Sequence, residues 1–559
     1  MKTTLVTLIT ALCISSAATS QGVGFRWAKS VGGTGNDMGQ SLATDALGNV
    51  YVTGFFQGPI LIFGPDTLRN AGNYDMFVAK IDSAGTPVWA KSAGGASNEG
   101  GLGIAVDVYG NSFVAGYFQS ASITFGSTIL TNSGMTDMFL VKFDANGNAL
   151  WGKSAGGHYL DVAQGVAVDA AGNCFVTGSF GSPQISFGTD TLTNAGGYDF
   201  YTVKYDPKGN ELWARSAGSG DFDEGYDVAV DGLGNCFVAG SFKSAMIVLG
   251  ADTLRGSGYF APFVIKYSTN GDLRWARSST GGGLYQDYAY GVSADRSGDC
   301  YITGSYSSPV ITFDPYVLEN RGVDDIFVVK YDSTGRVSWA KGFGSAGDEY
   351  ALGIATDAGG NSVLTGAFGP SPLPIGSDSL MSDGEVDTFV MELDLQGNPL
   401  WALKAGGEGN DAGNGVSVDI LGNTCVTGQF SSQAMLFGSD SLKNQNSGSY
   451  DIFLAKIGTL PTEVFENDKL LHSFPSLFQN YPNPFNPLTT INFSLGKSSA
   501  ATLKVYNVLG EIVATLVDGR LRPGNHTVHW DASRVPSGVY FCKLSAGTYS
   551  DIRKMVVMK

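Results

Sequence analysis

Tryptophan recurs at a nearly fixed interval along most of this chain: Trp27, Trp89, Trp151, Trp213, Trp275, Trp339 and Trp401 stand 62, 62, 62, 62, 64 and 62 residues apart. Such a period marks an array in which each unit covers its neighbour's apolar surface, and it restricts the fold more than any local motif does. Four strand-like segments recur within each unit. In the second unit they are GIAVD (103–107), NSFVAGYF (111–118), DMFLVKFD (137–144) and NALWGKS (148–154). Asp-x-x-Gly-Asn (Asp107 to Asn111) joins the first two and stretches such as DANGN join the last two, both of them tight antiparallel reversals. The connection between the second and third segments is longer and holds its own small hairpin, SITFGSTILTN, while a glycine-rich loop leads from each unit to the next. Alternate connections of an up-and-down sheet fall at opposite ends, so both long connections share one face, where function is to be sought.

A lone four-stranded sheet cannot cover two apolar faces, but radial stacking of such sheets does. Seven units therefore predict an all-β, seven-bladed β-propeller. Gly at 78 residues and only 15% charge fit many short strands with tight turns. The seventh unit supplies three segments, ending with DIFLAKI (451–457), and then runs into GTLPTEVF without a tryptophan strand. The missing strand is GFRWAKS (24–30) from the other end of the chain, so the N-terminal strand is expected to close the ring and remove its open edge.

The first twenty residues, MKTTLVTLITALCISSAATS, have a lysine-bearing start, an apolar stretch and small residues suited to cleavage before Gln21, the pattern of an export signal. No later apolar run reaches the ~18 residues of a membrane-spanning helix. Residues 476–559 hold nine Lys/Arg against four Asp/Glu, whereas residues 21–475 hold 24 against 47, a net charge of −23 that disfavours nucleic acid as a partner. Cys174, Cys236, Cys300, Cys425 and Cys542 lack metal-type spacing, and the first three occupy equivalent places in successive units, where sister units carry Val or Ser. They read as small packing residues.

Through W-A-K-S-x-G-G, G-I-A-V-D-x-x-G-N, V-T-G and D-x-F-V-x-K, residues 25–457 resemble the SBBP family of bacterial β-propeller repeats. Three positions depart from the pattern: Ala261 replaces an Asp, Glu392 a Lys, and Leu403 a basic residue. The resemblance implies a fold and no reaction. Residues 458–475 read as a linker, and residues 476–559 as a small immunoglobulin-like β-sandwich of six short strands. That tail resembles the type A C-terminal sorting domain of the type IX secretion system. The matching motifs are Y-P-N-P-F-N-P (Tyr481, Pro482, Asn483 and Pro484 at its head), K-V-Y-N-V-L-G ending at Gly510, S-G-V-Y-F (with Gly538 and Tyr540) and K-M-V beginning at Lys554. The resemblance implies inner-membrane passage by the leader, outer-membrane passage directed by the tail, and release or surface attachment afterwards, with the secretion machinery as a partner.

Two catalytic patterns are declined. GNALWGKS (147–154) satisfies the Walker A expression and GKSAG (152–156) the esterase elbow, but both fall on a strand and its hairpin turn rather than on the strand-to-helix loops that their chemistry needs. A carboxylate follows each tryptophan by ten residues, or by twelve in the fifth unit: Asp37, Glu99, Asp161, Asp223, Asp287, Glu349 and Asp411. Placed in the loops before the innermost strands, these would form an acidic ring around the central opening, a cation site suited to calcium. The alternative is that each accepts loop amides or pairs with a basic residue such as Lys29, Lys91 or Arg215. The Asp residues that open the tight turns (Asp45, Asp107, Asp169, Asp231, Asp295, Asp357 and Asp419) read as structural. DFDEGYD (221–227) is a denser acidic group in the fourth unit, and His158 is the propeller's single histidine. The chain is thus expected to be a secreted or surface-displayed binding or scaffold protein for an extracellular glycan, peptide or protein. The alternative is a polysaccharide-directed hydrolase or lyase using Asp161, Asp223 or Glu224.

Overall fold

The computed structural model describes residues 22–460, apart from 282–284, 377 and 447, and residues 476–557 with short interruptions at 478–479, 481–482, 484, 496–497, 509, 523 and 548. The leader and residues 461–475 of the expected linker lie outside the described residues, while Gly458 and Thr459 continue the strand Asp451–Thr459. The chain divides into two units, Met1–Leu460 and Pro461–Lys559, and the described residues of both are strands and turns, without helix.

The larger unit holds seven four-stranded antiparallel sheets that resemble the blades of a propeller. In the first, Asp37–Thr44 pairs with Val50–Phe56, which pairs with Asp75–Ile81 and then Pro87–Ala93. Five further sheets repeat this order. The remaining one consists of Asp411–Val418, Thr424–Phe430, Asp451–Thr459 and, hydrogen-bonded to the last of these, Val23–Val31. Val23 faces Thr459 and Val31 faces Ile452 in that antiparallel ladder. Each long connection carries a two-stranded hairpin such as Ser122–Phe125 with Thr128–Thr131. Each innermost strand lies against the next along the chain, and Asp411–Val418 lies against Asp37–Thr44.

The tight turns form as their residues dictate. Asp107 Oδ1 accepts the amides of Tyr109 and Asn111 at 2.9 Å, its Oδ2 accepts the Asn111 side chain, and Gly110 takes φ 78°, where a Cβ would be strained. The same lattice recurs at Asp45, Asp169, Asp231, Asp357 and Asp419, and Asp295 repeats its backbone part. The innermost strands begin earlier than their apolar pattern suggests: Glu99–Val106 takes in a glycine-rich stretch, and Leu102 is bulged out between the pairs Gly101–Gly116 and Gly103–Ala115. The head carboxylates are therefore the first residues of strands and do not lie in the loops. The bulge hides the alternation that would have announced this.

The apolar core lies between sheets. One cluster joins Val31, Cys425, Ile452 and Leu454 of the seventh sheet to Leu42, Val50, Phe56 and Phe77 of the first, and another joins Phe237 and Val264 of the fourth to Cys300 and Ile302 of the fifth. All five described cysteines are free and buried, as packing residues are expected to be. The tryptophans bridge sheets. The Trp89 indole N–H donates to Ala145 O at 3.0 Å in the turn of the next sheet, against Gly147, where a Cβ would come within 2.9 Å of the ring. Trp27, Trp151, Trp213, Trp275 and Trp339 repeat the contact on Ser83, Pro207, Thr269, Ser333 and Leu395. Gly147 is thus a turn glycine under an indole, and the Walker-like stretch runs along Ala149–Ala155.

Buried lysines of the third strands pair with the turn aspartates: Lys142 with Asp107 at 3.5 Å, Lys204 with Asp169 at 3.7 Å, Lys266 with Asp231 at 3.4 Å and Lys456 with Asp419 at 2.9 Å. Lys456 also donates to Gly48 O at 3.3 Å, from the seventh sheet to the first.

The smaller unit has a three-stranded sheet (Ser476–Leu477, Leu488–Leu495, Gly524–Asp531) and a four-stranded one (Ile512–Leu521, Ser499–Tyr506, Gly538–Ala546, Tyr549–Val557). The two share a core that contains Ile491, Phe493, Leu503, Trp530, Tyr540 and Met555.

Candidate functional site

The seven head carboxylates do not draw together around the opening. Asp37, Glu99, Asp161, Asp223, Glu349 and Asp411 are wholly buried, and Asp287 is 3% exposed. A strand alternates its faces, and the head residue points between sheets, where each carboxylate ties its own loop to the strand. Asp37 accepts Gly33 N at 2.6 Å and Gln57 N at 3.2 Å; Glu99 accepts Gly95 N at 2.7 Å and Ser120 N at 3.0 Å. Asp161, Asp223, Asp287 and Asp411 take hydroxyls from Ser182, Ser244, Ser308 and Ser432 at 2.6–2.7 Å, and Glu349 takes that of Ser345 at 2.6 Å. The partners are loop amides and serines rather than Lys29, Lys91 or Arg215. Burial pushes Asp37 up to about 7 against the pull of those amides, and it raises Asp161, Asp287, Glu349 and Asp411 as well. Among the described residues no three His, Cys, Asp or Glu are grouped closely enough to hold a metal ion. Each head carboxylate thus has its oxygens engaged by the amides and serines of its own loops, one carboxylate per unit.

DFDEGYD likewise disperses its acids. Asp221 pairs with Lys243 at 3.2 Å, Asp223 is held by Ser244, Glu224 accepts the Tyr226 hydroxyl at 2.7 Å, and Asp227 accepts Val228 N and Val292 N at 2.8 and 2.9 Å. Asp161 and Asp223 are therefore shut away from any substrate. His158 is exposed, with its ring 5.2 Å from that of Tyr159.

A second buried set was not read from the sequence. Asp75, Asp137, Asp199, Asp325, Asp387 and Asp451 head the third strands; Oδ2 of each accepts a loop amide, and Oδ1 packs without a hydrogen-bond partner. Each carboxyl lies against a glycine, such that a Cβ on Gly94 would fall 2.1 Å from Asp75. Ala261 replaces the Asp in the fourth sheet, and Thr280 stands where the paired glycine would be. The departure at 261 thus coincides with loss of the glycine that the Asp would pack against.

What faces the opening is a narrow cavity of about 240 Å³, whose polar lining includes Gln40, Gln164, Tyr226, Asp227, Tyr290 and Asn414. On the long-connection face a second cavity, about 340 Å³, is lined by Met135, Tyr159, Leu160, Tyr198 and Phe222. Of these side chains only Phe222, Tyr226 and Asp227, within DFDEGYD, fell in a stretch singled out from the sequence. The signal was available at positions where units three to five depart from their sisters.

In the smaller unit the sorting motifs meet. The Asn483 side chain donates to Lys554 O at 3.0 Å and accepts Val556 N at 2.7 Å, which ties the first motif to the last. Tyr540 donates to Pro536 O at 2.9 Å and its ring lies 5.6 Å from that of Trp530. Gly510, at φ 82°, closes the Asn507–Glu511 turn, and Gly538 opens its strand. Tyr481, Pro482 and Pro484 lie outside the described residues.

Residues 479–558 match the family of secretion system C-terminal sorting domains. This tail indicates export by the type IX secretion system to the cell surface or beyond, and it implies contact with that machinery. Curated relatives include the WD repeat-containing protein L264 of Acanthamoeba polyphaga mimivirus, 23% identical over 77% of this chain and 38% of that protein, and the regulatory protein FlaEY of Caulobacter vibrioides, 25% identical over 58% and 35%. The chain therefore spans little more than a third of either relative. Similar solved structures include the Pan2 WD40 domain of Neurospora crassa (8% identical, covering 77% of this chain and 90% of that one, TM-score 0.35). Another is PorZ, a surface component of the type IX secretion system of Porphyromonas gingivalis (11% identical, covering 95% and 100%, TM-score 0.17). No helix among the described residues is long and apolar enough to cross a membrane, which says nothing of strands.

Proposed function

We propose that residues 21–457 form a seven-bladed β-propeller of SBBP-type units closed by the N-terminal strand, and that this propeller works outside the cell as a binding scaffold. In this reading residues 1–20 are a cleaved leader, residues 458–475 a linker, and residues 476–559 an immunoglobulin-like domain that addresses the chain to type IX secretion. The ladder between Val23–Val31 and Asp451–Thr459 supports closure, and the contact between Asp37–Thr44 and Asp411–Val418 supports a ring.

One observation carries the binding role: the long-connection face of the second to fourth sheets leaves Met135 59%, Tyr159 48% and Phe222 39% exposed around the 340 Å³ cavity. Large apolar side chains gathered at a concave surface mark a place of contact. The acids considered for hydrolysis are instead held by serines or a tyrosine of the chain itself. The test has two parts. In a bacterium with type IX secretion, a chain ending at residue 478 should stay in the cell while the full chain reaches the surface or medium; equal export refutes the address. The mature full-length protein, screened on glycan and peptide arrays, should retain ligands that the Tyr159→Ala/Phe222→Ala variant loses, and an unchanged profile removes this face from the function.

A further inference from the structure

On each innermost strand the third residue after the head carboxylate borders the central cavity, and the first residue stands two places before it. In the first, second, third and seventh sheets these pairs are Met38/Gln40, Gly100/Leu102, Val162/Gln164 and Ala412/Asn414. In the next three they are Glu224/Tyr226, Tyr288/Tyr290 and Tyr350/Leu352. Tyrosines thus gather in the fourth to sixth sheets, whereas the other sheets contribute amide, small and aliphatic residues. Tyr288 and Tyr290 stack with centroids 5.5 Å apart and planes 15° from parallel, Tyr226 lies 5.7 Å from Tyr290, and Phe260 lies 5.1 Å from Tyr288. None of these four is fully buried.

The charges around this group are of one sign. Glu224 accepts the Tyr226 hydroxyl and acts on Tyr288 as well; Asp324, held by the Ser307 hydroxyl, acts on Tyr288 and Tyr290. Asp348 is exposed, bridges Asp324 through the backbone, and has its carboxyl raised by burial and then by the Asp324 charge. Tyr290 is pushed up to about 12, by burial first and then by Tyr288. Ring faces carry a negative quadrupole, so rings beside carboxylates form a surface that lowers its energy by taking up a cation. The net charge of −23 over residues 21–475 draws such a ligand in from a distance.

Resting on the binding role above, we propose that the mouth of the central cavity takes a polypeptide segment bearing arginine or lysine, the side-chain cation lying against Tyr288 and Tyr226 with Glu224 and Asp324 as its counter-charges. Arginine fits best, since its planar guanidinium stacks on a ring and still offers N–H donors to a carboxylate. A neutral sugar would also stack on the rings, but it would bring no counter-charge to Glu224 and Asp324.

The test uses the mature full-length protein and three probes read by fluorescence anisotropy: a labelled Gly/Ser peptide with two arginines, the same peptide with citrulline at both places, and a labelled neutral cello-hexasaccharide. The arginine peptide should bind, with the citrulline peptide at least tenfold weaker. Tyr288→Ala and the pair Glu224→Gln/Asp324→Asn should each weaken it at least tenfold, and Tyr288→Phe, which keeps the ring, should bind within twofold of the parent. Asp378→Asn/Asp440→Asn, which removes two charges on distant hairpins, should also change nothing beyond twofold. If that distant pair weakens binding as much as the mouth pair does, attraction is diffuse and the proposal fails. If the hexasaccharide binds and Tyr288→Ala abolishes it while the arginine peptide does not bind, the binding role stands and the cation is wrong. If no probe binds, the mouth as cation site is refuted, and the array result with Tyr159→Ala/Phe222→Ala decides the binding role on its own.

Discussion

The ladder between the two ends of the larger unit can be tested through Trp27. This residue sits on Val23–Val31, its indole N–H donates to Ser83 O at 3.2 Å in the first sheet, and a Cβ on Gly85 would come within 3.0 Å of its ring. A covered tryptophan side chain hides ~200 Å². Trp27 is half-buried, so alanine in its place forfeits ~100 Å² at ~25 cal/mol/Å², about 2.5 kcal/mol, and the lost hydrogen bond adds about 1 kcal/mol. At ~2.1 cal/mol/K per residue, a unit of this size has an unfolding entropy of roughly 0.9 kcal/mol/K, so about 3.5 kcal/mol lowers Tm by ~4 °C. Trp213, only 5% exposed and donating to Thr269 O at 3.1 Å, is the internal control; its alanine variant should fall further, by ~6 °C, because nearly all of its area is lost. Differential scanning calorimetry of the mature full-length chain reads both shifts in the transition of the larger unit. If Trp27→Ala melts within about 1 °C of the parent while Trp213→Ala falls, the N-terminal strand does not clasp the first sheet and the argument for closure is lost.

Mild acid should stabilise the larger unit. Burial pushes Asp37 up to about 7 and Asp75, Asp199, Asp325 and Asp387 up to about 6, so the folded chain holds protons that the unfolded chain releases. Their contribution is complete below the unfolded carboxylate value of ~3.9 and is lost as pH rises through 6 to 7, so Tm at about pH 5.5 should exceed that at about pH 8, with Asp37→Asn narrowing the difference. Equal melting at both values would show that these groups are not desolvated as described. Gly94→Ala should cost ~1–3 kcal/mol by driving a Cβ into Asp75. Adding Asp75→Ala should recover part of that cost in chemical denaturation, whereas strictly additive costs would show that the two positions do not share space.

The repeat was legible because its signals are local. Tryptophans that cover a neighbour's turn and Asp-x-x-Gly reversals need only a few residues each, so the strands, the turns and the partner strand at the N-terminus can be read directly. The head of the innermost strand could not be placed this way. Gly100 and Gly101 lack the side chains that advertise a strand, and the bulge at Leu102 breaks the period-two pattern, so the strand seemed to start after its own first residue. The facing of the head carboxylates followed from that misplacement. A loop residue before a strand is free to line an opening, whereas the first residue of a paired strand has its direction fixed by the ladder.

Sevenfold identity has a structural reading as well. A group repeated at every junction answers a need that every junction has, and here that need is satisfaction of the buried loop amides which the head carboxylates accept. Departures from the repeat carry more information, provided that structural ones are separated first. Where Ala261 replaces the Asp, Thr280 replaces the glycine against which that Asp packs in the sister units. Glu392 stands where sister units have lysine and accepts the indole N–H of Trp401, the one bridging tryptophan whose next sheet has no turn joining its last two strands, because the fourth comes from the N-terminus. Both departures are answered by packing inside the unit. The rings of Tyr226, Tyr288 and Tyr290 pack on one another across the fourth and fifth sheets, and those of Tyr226 and Tyr290 also border the central cavity. A departure from the repeat that borders an open cavity is one that an external ligand can meet.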